Sequence, residues 1–183
     1  MHRSFNLHSR VLWITRTALL MALLVTLQWA TSGFGQFVTG SCVNAVLAVS
    51  ALLGGVWSGV AVALVSPFFA FMLGIGPKLV QIVPCIALGN LTYVLLLYFL
   101  LEKKHRPVWQ QLTGMLLSAV AKFAVLYILV VKVVVPVMGD TLKPQQVKTF
   151  SAMFSWPQLV TAIIGGAAAL LLLPLLRKAL KRK

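Results

Sequence analysis

Few residues in this chain could carry chemistry, and those that could sit singly within apolar runs. Lys122 is the foremost. It lies about midway along an apolar run, in SAVAKFAVLY, and no acidic residue occurs within any apolar run to neutralise it. An unpartnered ammonium in such surroundings is costly. A carboxylate or phosphate on a ligand would supply the partner. Snorkelling to an interface, or backbone carbonyls freed by a kink, would serve instead. Lys132, nearer the end of the same run, reads as a snorkelling anchor. Asn90 follows Gly89, and an amide in lipid must find a partner, so it faces either a neighbouring helix or a cavity. Trp156 and Gln158 flank Pro157 at the start of the last run. The tryptophan suits an interface anchor or a stacking surface for a ligand. Gln36 and Asn44 lie in and just after the first outer loop, where either could lid a pocket open to the outside. Cys85, beside Pro84, suits a small apolar filler; alternatively its sulfur meets a metal centre carried by a ligand.

Much chemistry is excluded. Only Glu102 and Asp140 are acidic, against 16 Lys plus Arg, for a net charge of +14. Gradient-driven carriers commonly need a membrane carboxylate, and none is available here. No GxxxxGK[ST], HExxH or GxSxG occurs. His2, His8 and His105 all fall in polar segments, and Cys42 and Cys85 lack metal-site or disulfide-framework spacing. Neither an enzyme nor a metal or cofactor site is expected. The basic residues cluster between apolar runs with no nucleic-acid motif, which is a topology signal. The basic tail suits contact with anionic lipid.

The elements that must position these residues are membrane helices. The chain of 183 residues is 60% hydrophobic, with a mean hydropathy of +0.97, well beyond a soluble domain. Apolar runs predict spans over about 11–30, 42–53, 56–73, 79–101, 108–135 and 152–176. The first run is too long for a cleavable signal, and further spans follow it. Residues 31–41, Gly-rich and polar, read as a loop, and 137–150 as a longer polar connection. Pro67 should kink the third span. The expectation is an all-α membrane protein, one domain of six helices in a single bundle.

An even count puts both termini on one side. With the N-terminus cytoplasmic, inner segments carry Arg3, Arg10, Lys103, Lys104, Arg106, Arg177, Lys178, Lys181, Arg182 and Lys183. Outer segments carry Lys78, Lys143 and Lys148. That asymmetry places both ends in the cytoplasm.

In the first span Ala18 and Ala22 stand four apart and share a helix face. Small residues so spaced leave a trough where another helix can approach. Spacing alone fits packing within the chain as well as a docking face for a partner protein.

With Ala18-Leu19-Leu20-Met21-Ala22 in the first span and Gly89-Asn90 in the fourth, the chain resembles the substrate-binding S components of energy-coupling factor (ECF) vitamin transporters. Size, six spans and basic ends agree over nearly the whole length. The resemblance implies a bacterial plasma-membrane subunit that binds a vitamin, precursor or trace nutrient near the outer face. It implies docking through Ala18 and Ala22 onto a transmembrane coupling protein carrying two ATPases, as in an ABC importer. It makes Asn90, Lys122, Trp156 and Gln158 candidate pocket residues, with Gln36 and Asn44 near the lid. Lys122 favours a ligand with a carboxylate or phosphate, such as pantothenate or a folate-like compound. Gly33, Gly35, Gly40, Gly74 and Gly76 would instead make room for a cobalamin. Two other classes remain open: a cell-shape scaffold with the same six-helix plan, and a membrane protein modifying a bound cofactor through Cys85.

Overall fold

The computed structural model describes residues 7–102, 106–139 and 141–181. Those residues are helical almost throughout, with no strand among them. The helices are α1 (Leu7–Thr31), α2 (Gln36–Gly54), α3 (Val56–Met72), α4 (Ile82–Leu101), α5 (Val108–Val137), α6 (Pro144–Met153) and α7 (Trp156–Lys181). Five of these regions are long and apolar enough to cross a membrane, and α3, at 17 residues, is shorter. Seventeen residues lie at the lower limit for a crossing.

α2 is the central helix. Asn44 and the stretch from Val46 to Ala51 are buried, against α1, α3, α4 and α7. Its closest partner is α7, and glycine makes the approach possible. A Cβ on Gly165 would stand 2.5 Å from the Ser41 carbonyl oxygen and 2.6 Å from Asn44 Cβ. One on Gly40 would meet Thr161 at 3.0 Å. Leu24, Leu47, Val62, Tyr93 and Leu97 fill the middle of the bundle. A second cluster joins Ile82, Leu126, Val130 and Val135 to Phe150 and Phe154, from α6 and the turn after it.

Several expected boundaries move. Residues 36–41 are not loop but the first turns of α2, because Gly40 is needed as a flat surface against Thr161. The loop shrinks to a short 3-10 turn, Ser32–Phe34, and Gly35. The connection after α5 contains α6, started by Pro144 at its first turn and by the Lys143 N–H donating to Gln146 Oε1 at 3.0 Å. Proline suits that position because its missing N–H is unneeded there. Residues 152–153 therefore end α6, and α7 begins at Trp156. The helix α3 continues through Pro67 to Met72. It stops at Gly74, whose φ of 72° lets the Ile75 N–H fold back to the Ala70 carbonyl at 2.8 Å, a left-handed C-terminal cap.

α5 widens into a π-helix over Tyr127–Val134. There the Val135 N–H bonds to the Val130 carbonyl, five residues back. Pro136 has no N–H for the Lys132 carbonyl, which weakens the tighter pattern nearby. The buried stripe of this helix runs Lys122, Leu126, Val130, Val135. Its last step is five residues, and the wider turn keeps it facing inward.

Arg3, Lys103, Lys104, Arg182, Lys183, His2, His105 and Asp140 lie outside the described residues, as do the side chains of His8 and Lys181.

Candidate functional site

Residues stacked on three helices, most of them polar or small, meet at one point. On α2, Gln36, Gly40 and Asn44 follow one another at i, i+4; on α4, Ile86 and Asn90 do the same; on α7, Gln158 and Thr161 stand three apart. Residues so spaced share a face. Lys122 of α5 reaches into their midst. Its Nζ donates to Asn44 Oδ1 at 2.6 Å and to Asn90 Oδ1 at 2.7 Å, and stands 5.4 Å from the Tyr93 ring centroid. Asn44 Nδ2 donates in turn to Thr161 Oγ1 at 3.3 Å. Tyr93 is held by its hydroxyl, which donates to the Ala162 carbonyl at 2.9 Å.

Lys122, 3% exposed, therefore neither snorkels nor bonds to freed carbonyls. Two amide oxygens and an aromatic face solvate it. These are strong bonds, about 1.5–3 kcal/mol each for a charged donor. They offset the cost of burial without cancelling the charge. Because both asparagines turn their oxygens to the ammonium, their NH2 groups point elsewhere.

Above this cluster lies a cavity of about 310 Å³, bounded by the α1–α2 turn, the α3–α4 loop and the α6–α7 junction. Lys122, Asn44, Asn90, Gln36 and Gln158 all line it. Gln158 Nε2 donates to the Met153 carbonyl at 3.1 Å, tying α6 to α7 and leaving its oxygen for the cavity. Two of the expected placements need correction. Asn44 is no lid residue: it is 1% exposed and forms the floor. Trp156 does not line the cavity. It is 61% exposed and packs on Phe37 with ring centroids 5.5 Å apart, because Gln158, not Trp156, occupies the inward face of α7. Of the glycines expected to make room, Gly35, Gly40 and Gly76 line the cavity, and the loop glycines also serve the turns. Gly35, Gly74 and Gly76 have φ of 84°, 72° and 100°, the left-handed region that glycine alone enters freely.

Gln28, Thr39 and Ile75 also line the cavity, and Tyr93 and Thr161 support Lys122. Their sequence signal was the i, i+3 and i, i+4 spacing to residues already chosen: Thr161 from Gln158, Tyr93 from Asn90. Gln28 had only its polarity. Gln28 and Gln36 make no side-chain hydrogen bond in the described structure. Cys85 does not line this cavity. Its thiol points to the Gln81 carbonyl at 3.6 Å within the apolar cluster of α4 and α5.

Ala18 and Ala22 are both exposed. The inward face of α1 is instead Thr17, Leu20, Leu24 and Gln28, with Thr17 Oγ1 donating to Ser58 Oγ of α3 at 2.9 Å. The alanine pair lies off that inward face.

An apolar all-helical bundle with a polar cavity at one end is the build of a membrane binding protein. The family described as "ECF transporter, substrate-specific component" matches residues 13–177, and the chain belongs to it. It is thus a multi-pass membrane protein and the substrate-specific part of a transporter, not an enzyme; ATP hydrolysis lies in partner modules. No curated protein and no solved structure matches the chain significantly.

Proposed function

We propose that this chain is the high-affinity membrane receptor of an ECF-type ABC importer for a small anionic vitamin or vitamin precursor. The whole chain acts as one integral membrane domain of six spans with both termini cytoplasmic. The observation that carries the substrate reading is Lys122. Its amine is buried within the bundle, fixed by Asn44 and Asn90 at the edge of a cavity lined by no carboxylate. A ligand carboxylate or phosphate there neutralises the charge and adds a charge-assisted bond. Asn90, Gln158, Gln36 and Gln28 supply amide partners for its remaining polar atoms. A volume of about 310 Å³ suits a pantothenate-sized compound.

Delivery of power is the second half of the proposal. Ala18 and Ala22 present a smooth exposed face on a helix that buries few of its residues against the rest of the bundle. Small residues on such a face let a coupling helix approach closely. The coupling protein and its two ATPases then move the loaded bundle as a unit, and the ligand is released inside.

The test is what leaves the membrane with the chain. Mass spectrometry of the purified protein should find a bound anionic small molecule, and co-expression with a coupling module should yield a complex. A chain that retains no small molecule after gentle purification, and none after soaking in vitamins, refutes the receptor reading.

A further inference from the structure

A second cavity, of about 290 Å³, lies at the opposite end of the bundle, between the ends of α2, α4 and α7 and the start of α5. Its walls divide by polarity. Leu52, Leu170 and Leu173 form an apolar side; Gln111 and Arg177 form a polar one. Arg177 makes one long bond, from Nη2 to the Leu52 carbonyl at 3.4 Å, which leaves most of its five donors free. Gln111 Nε2 donates to the Arg106 carbonyl at 2.8 Å, so Arg106 adjoins the rim. Arg106 Nε is buried with no hydrogen-bond partner. Buried polar atoms in folded proteins are nearly always paired. Glu102, the one carboxylate among the described residues, is engaged by the Tyr98 hydroxyl at 2.7 Å. Pro174, also on the wall, has no N–H to offer the Leu170 carbonyl, four residues earlier.

We propose that this cavity holds the phosphate headgroup of an anionic membrane lipid, with Arg177 and Gln111 as its donors. An arginine fork matches phosphate geometry. The leucine wall suits the glycerol and the first methylenes of the chains, which a free anion does not need. The Leu170 carbonyl is an acceptor for a headgroup hydroxyl. The site stands apart from the cavity at the other end of the bundle and does not depend on what that cavity takes.

Full-length protein in detergent, titrated with phosphatidylglycerol, phosphatidylcholine or inorganic phosphate and read by native mass spectrometry, tests this. Wild type should retain phosphatidylglycerol in preference to phosphatidylcholine. Arg177→Gln should weaken that retention about tenfold or more, as loss of a charge-assisted bond does. Gln111→Leu, which leaves every charge in place, should weaken it as well. Lys178→Gln removes the same charge one residue along from an exposed position outside the cavity, and should change it far less. Equal losses in Arg177→Gln and Lys178→Gln would mean general attraction to an anionic surface and overturn the site. So would displacement of the lipid by inorganic phosphate at matched concentration, or no preference between the two lipids.

Discussion

A lysine at 3% exposure in an apolar bundle persists only where its surroundings are arranged for it. Here two asparagine oxygens accept from its Nζ and no carboxylate lines the cavity beside it, which is the ground for proposing an anionic ligand. Lys122→Ala should weaken binding of an anionic ligand by about 1.5–3 kcal/mol, measured by calorimetric titration. An unchanged dissociation constant would remove Lys122 from the site. Trp156 makes a useful contrast. Exposed and packed on Phe37, it should tolerate Trp156→Ala with a change in affinity within about 0.5 kcal/mol. A larger loss would return the tryptophan to the ligand.

At the scale of helices, two faces matter for opposite reasons. The α2–α7 contact is closed around Gly165, and any side chain there meets backbone. Gly165→Ala should therefore lower stability by about 1–3 kcal/mol, the usual cost of overpacking, seen as a lower unfolding temperature in detergent. It should also weaken ligand binding, because Asn44 is among the atoms displaced. The face bearing Ala18 and Ala22 is open. Ala18→Trp and Ala22→Trp should leave folding and ligand binding intact while blocking uptake and assembly with the coupling module. Normal transport by both variants would show that the partner uses another surface.

For the whole molecule, the distribution of charge sets orientation. Cysteine placed at Ser32, by the larger cavity, should react with an impermeant maleimide on intact cells. Cysteine at Lys178, at the other end, should react only after permeabilisation. Replacing Cys42 and Cys85 by serine keeps the background clean. The reverse pattern would invert the protein and put the cavity inside the cell.

Length, hydropathy and charge were enough to establish a helical membrane protein without catalytic machinery, because burying apolar surface in lipid demands long runs that nothing disguises. Single polar residues in those runs were legible too, since each must be satisfied: Lys122 and Asn90 were visible for that reason, and Asn44 for its place just after the first outer loop. Their joining was not. That Lys122 bonds to Asn44, 78 residues away in sequence, and to Asn90 depends on how α5 packs beside α2 and α4. Glycine at 31–41 looked like loop, yet Gly40 is helical, because what it serves is a neighbour 121 residues on, a contact no local pattern encodes. Trp156 and Gln158 both stood as pocket candidates on the chain, the tryptophan also as an interface anchor, and only the rotation of α7 sent Gln158 inward and left Trp156 exposed. Residue type announced which groups needed partners; packing of the helices chose the partners.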